Sequence, residues 1–311
     1  MIREDFHFLS KDTKTKIHAV RWLPDDGAIR GIIQLVHGMQ EYIGRYEEFA
    51  GFLTGHGFLV VGHDHLGHGQ SVRGKRHYGY FCKPKPSDVL VEDIRQVTAI
   101  TKSGYPDLPC FIFGHSMGSY LVRKYLTLYS EEVDGAILCG TGRVSSAACR
   151  LGMAVCGLLA LFRGWHFRSG FVKKSAFGGA YARFCMDGSD PENSWLSTNV
   201  ESVKKFYADP LCGFDFTLNG YYGLMSTVLY DNQEKYIRNI RRELPIFLIS
   251  GSEDPVGAAG VGVKRVYQQY IRAGLKNVTM KLYKGDRHEL INETDRADVY
   301  ADVWEWIKHT G

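Results

Sequence analysis

Residues 109–129 read PCFIFGHSMGSYLVRKYLTLY. An apolar stretch at 109–113 has the length and composition of a buried strand. It runs directly into Gly114-His115-Ser116-Met117-Gly118, after which apolar residues recur with helical spacing over 117–129. A serine between a buried strand and a helix sits on a sharp, strained turn, and the flanking glycines keep neighbouring side chains from clashing there. The Ser116 hydroxyl is expected at the carboxyl end of a sheet, where open α/β sheets place their ligands, beside the free N–H groups of a helix N-terminus.

Outward from this turn the chain keeps an alternating rhythm. Residues 4–10 and 16–23 read as half-buried strands, 31–36 and 58–62 as buried ones, with a helical stretch around 46–55. Leu90, Ile94 and Val97 mark one face of a helix over 88–102, and 134–139 is the next strand. The rhythm breaks at Gly140-Thr141-Gly142 and resumes with a strand at 244–250, a helix near 259–273, a strand at 278–283 and a last helix near 295–308. Short apolar strands alternating with amphipathic helices imply a mostly parallel sheet covered on both faces. Between the two halves the sequence is helical and irregular. It contains the apolar run 151–162, and Thr198 followed three residues later by Glu201, a capping-box spacing that suits a helix ended by Asp209-Pro210. The organisation expected is one α/β core, 1–141 and 241–311, with a helical cap, 142–240, inserted between two strands.

A serine hydroxyl needs a base to take its proton and an acid to orient that base, and this arrangement orders them serine, acid, histidine. Three histidines follow Ser116. His166 lies between Trp165 and Phe167 within the cap, and His309 lies two residues from the end of the sequence. His288 follows the strand at 278–283, where a sheet-end base belongs, and is the expected base. Glu253 and Asp254, in the turn after the 244–250 strand, are both candidates for the acid, with Asp254 preferred. Two backbone amides aimed at the tetrahedral oxygen are also required. That of Met117 follows the nucleophile, and that of Met39 lies in the loop after 31–36. The cluster His63-Asp64-His65 with His68 contains metal-ligand residue types, but no further partner stands at useful spacing. No metal and no cofactor are expected.

Together HGMQEYIGRY (37–46), GHDHLGHGQS (62–71), GHSMG (114–118), DPL (209–211), GSEDPV (251–256) and GDRHE (285–289) resemble the monoacylglycerol lipase and bacterial lysophospholipase family of α/β-hydrolases. They span nearly the whole core in family order. The resemblance implies an α/β-hydrolase fold, a Ser116/Asp254/His288 triad, and the amides of Met39 and Met117 as oxyanion hole. It also implies that Glu41 and Arg45 shape a polar head-group pocket, that Asp64 and His68 are hydrogen-bonded internally, and that the substrate is a monoacylglycerol or lysophospholipid ester. The cap at 142–195 departs from the family pattern. An aromatic or short-chain esterase and a serine aminopeptidase are the alternatives. The peptidase needs cap acids such as Asp187, Asp190, Glu192, Glu201 or Asp209 to hold an α-amino group. A non-catalytic ligand-binding member is a third alternative, disfavoured by the complete Ser, Asp and His set.

The bulk properties agree with a small-molecule enzyme. The 311 residues carry 38 basic and 34 acidic side chains, a net charge of +4, which is no basic stripe for nucleic acid. Seven dispersed cysteines without a CxxC pair suit a reducing compartment. The first ten residues do not read as a secretory signal, and the apolar run 151–162 is shorter than the roughly 20 residues of a membrane span. A cytoplasmic enzyme is expected, its cap touching membrane surfaces transiently through that run and the neighbouring Arg163, Trp165, Phe167 and Arg168. The oligomeric state is not legible.

Overall fold

The computed structural model describes residues 1–25, 27 and 29–310. The chain opens with β1 (Ile2–Leu9), β2 (Lys16–Leu23) and β3 (Gly31–Val36), followed by α1 (Glu47–Gly55), β4 (Phe58–His63), α2 (Pro86–Gly104) and β5 (Cys110–His115). Then come α3 (Met117–Tyr129) and β6 (Gly135–Cys139). Before the sheet resumes there are five α-helices: α4 (Ser146–Arg163), α5 (Gly170–Ala176), α6 (Val200–Ala208), α7 (Leu218–Asp231) and α8 (Glu234–Ile237). The chain continues through β7 (Ile246–Gly251), α9 (Val261–Ala273), β8 (Val278–Tyr283) and α10 (Arg296–Lys308).

The eight strands form one sheet in the order β1-β2-β4-β3-β5-β6-β7-β8. β1–β2 and β2–β4 pair antiparallel and every other neighbour is parallel, as the strand–helix rhythm implies. Every residue of β3, β4, β5, β6 and β7 is buried, so these strands carry apolar residues on both faces. Alternate side chains go to opposite sides. Ile112 joins the core under α2, α3 and α9, whereas Phe111 and Phe113 join the one under α1 and α10. Because β3 lies between β4 and β5, successive connections diverge from it and leave a crevice at the carboxyl ends. His115 pairs with Cys139 and Gly251 with Tyr283, so the loops leaving β5, β6, β7 and β8 emerge side by side.

Three local readings change. Asn199, not Thr198, caps α6: its side chain accepts from the Ser202 amide at 3.3 Å. The Thr198 hydroxyl instead donates to Glu293 at 2.5 Å, a partner that only the fold supplies. α9 starts at Val261 because Ala258, Ala259 and Gly260 all have positive φ, which no right-handed helix admits. The apolar run 151–162 belongs to the 18-residue α4, whose start is set by Ser145 accepting from the Ala148 amide. By length and composition α4 reaches what a membrane crossing requires, with 17% of it buried, yet it packs lengthwise on α7.

Candidate active site

Ser116 has φ 53° and ψ −121°, a conformation costing a non-glycine residue on the order of 1–3 kcal/mol. The surroundings hold it there: its amide donates to the Cys139 carbonyl at 2.9 Å, and its carbonyl accepts from the Ser119 amide at 2.9 Å and hydroxyl at 2.6 Å. The flanking glycines are obligatory. A Cβ on Gly114 would stand 2.7 Å from the Gly118 carbonyl oxygen, and one on Gly118 would stand 2.1 Å from that of Val36. The turn therefore pins β5, α3 and β3 together and leaves the serine on a cavity wall.

Asp254, fully buried, accepts a hydrogen bond from His288 Nδ1 at 3.0 Å. Its carboxylate also accepts from the Val256 amide at 2.8 Å and the Ser250 hydroxyl at 3.1 Å, which fixes its orientation. With Nδ1 donating, the imidazole carries its lone pair on Nε2. That nitrogen is buried and has no hydrogen-bond partner among the described residues, and His288 lines the same cavity as Ser116. Glu253 points elsewhere, pairing with Arg183 at 2.6 Å on the surface. His166 stacks on Tyr80 with centroids 3.9 Å apart, and His309 is exposed at the end of α10; neither lines the cavity.

The loop after β3 brings Met39 and Glu41 to the cavity beside Met117. The amides of Met39 and Met117 donate no backbone hydrogen bond among the described residues. Glu41 is the loop's organiser. Its carboxylate accepts from the Gly38 amide at 2.6 Å, Arg45 at 2.8 Å, the Tyr46 hydroxyl at 2.9 Å and His115 Nδ1 at 3.1 Å. Burial works against the charge, but the His115 hydrogen bond and the Arg45 and His115 charges outweigh it, and the carboxyl stays ionised well below its usual range. Burial likewise opposes protonation of His115, and the hydrogen bond and field of Glu41 raise its pKa in spite of that. Arg45 does not line this cavity. It forks onto Glu289 with two contacts of 2.7 Å and borders a separate polar cavity of about 460 Å³. It therefore stands behind the wall of the large cavity, pairing with Glu41 and Glu289, which both line it.

The large cavity is about 650 Å³. The Met39–Glu41 loop, His115, Ser116, His288 and Glu289 supply its polar lining, and α4, α5 and α7 supply mostly apolar lining. None of Asp187, Asp190, Glu192, Glu201 and Asp209 lines it. In the histidine cluster, the Asp64 carboxylate accepts from the Ile43 and Gln70 amides at 2.9 and 2.8 Å and from His18 at 2.9 Å, and His68 Nδ1 donates to the Leu66 carbonyl at 3.1 Å.

Residues 27–295 match the protein family described as serine aminopeptidase, S33. The chain belongs to that family of α/β-hydrolases. This S33 hydrolase is 27% identical to the monoacylglycerol lipase of Mycolicibacterium smegmatis over 92% of this chain and 90% of that one. It is 28% identical to the monoglyceride lipase of Mus musculus over 93% of this chain and 85% of that one. A thermostable carboxyl esterase from Bacillus coagulans superposes with a TM-score of 0.90 at 27% identity, covering 100% of this chain and 99% of that one. The S33 hydrolase also has site neighbours that sequence reasoning missed. Trp195, from the segment before α6, stacks on His288 with centroids 5.1 Å apart and planes 29° apart. Glu289 completes the Arg45–Glu41 chain of charges. Glu289 adjoins the base in sequence, so its position was a usable signal; Trp195 carries no spacing relation to residue 288.

Proposed function

We propose that this hydrolase cleaves carboxylic esters of monoacylglycerol or lysophospholipid type through an acyl-enzyme on Ser116. His288 Nε2 takes the serine proton and later returns it to the leaving alcohol, while Asp254 holds the ring in the tautomer that can do so. The amides of Met117 and Met39 receive the developing oxyanion. Water then attacks the acyl-enzyme with His288 again as base. The observation that carries the reading is the Asp254–His288 pair, its Nε2 free, on the wall that also holds the strained Ser116. Residues 142–240 act as a cap whose apolar helices receive the acyl chain. Glu41 forms the polar end of the cavity, and Arg45 acts by bracing Glu41.

The family description favours a peptidase, but an aminopeptidase needs a carboxylate near the scissile bond for the substrate's ammonium. The cap acids named above lie off the cavity wall, and the two carboxylates on it, Glu41 and Glu289, are already paired with Arg45, which supports the ester reading. Exposed Leu158, Leu161 and Phe162 on α4 and Phe171 on α5, beside Arg163 and Arg168, support transient contact of the cap with a membrane surface. The seven free cysteines fit a cytoplasmic location. The test is turnover of monoacylglycerols, lysophospholipids and p-nitrophenyl esters beside aminoacyl anilides, with fluorophosphonate labelling. Wild-type protein is expected to hydrolyse the esters and take the label, and the Ser116→Ala protein to do neither while remaining folded. Turnover confined to the anilides overturns the lipid-ester reading.

A further inference from the structure

α4 turns small side chains toward α7. Ala148, Cys149, Gly152 and Val155 recur at three- and four-residue spacing, and all line the large cavity. α7 answers with Tyr221, Leu224, Met225 and Val228, spaced in the same way on the same cavity. The far side of α7 is fixed against the core. A Cβ on Gly220 would stand 2.3 Å from the Gly79 carbonyl oxygen, and one on Gly223 would stand 2.8 Å from the Phe81 ring. α7 has thus settled onto the segment before α2 and has no room to recede.

Between the two helices one position is occupied by proxy. A Cβ on Gly152 would lie 2.3 Å from Met225 Sδ and 2.9 Å from its Cε. The thioether fills the notch that the missing side chain leaves. Methionine is unbranched and adapts its rotamers readily, so this part of the wall can move while the helix backbones stay in place. The polar lining that includes Ser116 and His288 comes from other segments, which leaves the apolar α4–α7 lining for an acyl chain.

We propose that Met225, seated against Gly152, is the residue that sets how long an acyl chain the cavity takes. The proposal rests on the ester reading above. A methyl group at position 152 must displace the flexible Met225 side chain rather than backbone, and the displaced thioether swings into the cavity. Shortening Met225 instead empties the notch and extends the space for the chain. The two substitutions therefore act with opposite sign.

The experiment compares wild type, Gly152→Ala, Met225→Ala and Met225→Leu by two readouts. The first is kcat/KM for p-nitrophenyl esters from butyrate to palmitate, each normalised to butyrate. The second is the affinity for the matching saturated fatty acids by calorimetry, which needs no catalysis. In Gly152→Ala the longest chains are expected to lose about four-fold for each methylene excluded, from ~0.8 kcal/mol per buried CH₂. Met225→Ala moves the optimum to longer chains, and Met225→Leu keeps the wild-type optimum. Unchanged profiles, or shifts of one sign in both alanine variants, overturn the proposal. Fatty-acid affinities that shift as stated, in a protein that turns over no ester, support it and overturn the ester reading instead. If Gly152→Ala does not fold, the two Met225 variants decide: an unaltered Met225→Ala profile is fatal.

Discussion

Glu253 and Asp254 are adjacent carboxylates with opposite surroundings. Asp254 is fully buried, anchored by Ser250 and Val256, and within 3.0 Å of His288; Glu253 lies on the surface with Arg183. Removing the charge from the first should leave His288 in the wrong tautomer. Asp254→Asn is expected to lower kcat roughly 10⁴-fold with KM little changed, and Glu253→Gln to leave both parameters as they are. Steady-state kinetics on one soluble ester checks both. At this scale the nucleophile and base were readable because the strand-to-helix turn and the loop after the last strand are local patterns. The sequence already favours Asp254 over Glu253; the burial of the one and the Arg183 partner of the other come from the fold.

Among the elements, α6 and α4 show where local pattern and fold part company. The Thr198–Glu201 spacing suggested a capping box, but Glu293 takes the Thr198 amide and hydroxyl, and Asn199 caps the helix one residue later. The Asn199 side chain also donates to the Asn292 carbonyl at 2.9 Å, tying α6 to the segment after His288. Asn199→Ala is expected to cost about 0.5–2 kcal/mol of stability, read from urea unfolding. On α4, Leu161 and Phe162 are 81% and 80% exposed. If the cap touches membrane, Leu161→Asp with Phe162→Asp should weaken co-sedimentation with anionic phospholipid vesicles. Equal sedimentation of the variant, at an unaltered melting temperature, counts against membrane contact through this helix.

For the molecule as a whole, the buried histidines beside β4 link stability to pH. His63, His65 and His68 are fully buried, and the ring nitrogens of His63 and His65 have no partner among the described residues. Burial pushes the pKa values of His63 and His68 down to about 3, against 6.5 when unfolded. Between these values the unfolded chain binds more protons than the folded one, so folding is favoured as pH rises through this window and loses stability as pH falls from 6.5 toward 3. The contribution of these histidines to the unfolding free energy is lower at pH 5 than at pH 7. Asp93, Asp231 and Asp286, whose carboxyl pKa values burial raises to about 7, contribute with the opposite sign. His63→Leu should flatten that slope by about 1.4 kcal/mol per pH unit at most. Urea midpoints at the two pH values test this, and equal slopes in both proteins would exclude His63 as a contributor.

Strand and helix order, the parallel sheet, the strained turn at Ser116 and the base at His288 all follow from short-range periodicity and turn chemistry, which a linear sequence carries intact. The tertiary structure alone buried Asp254 and sent Glu253 to Arg183, seated Arg45 behind the cavity wall on Glu41 and Glu289, laid Trp195 against the base and folded Met225 into the space left by Gly152. Each of these depends on which distant side chains arrive at the same place. Burial and hydrogen-bond partners are properties of that meeting, and residue spacing along the chain does not encode them.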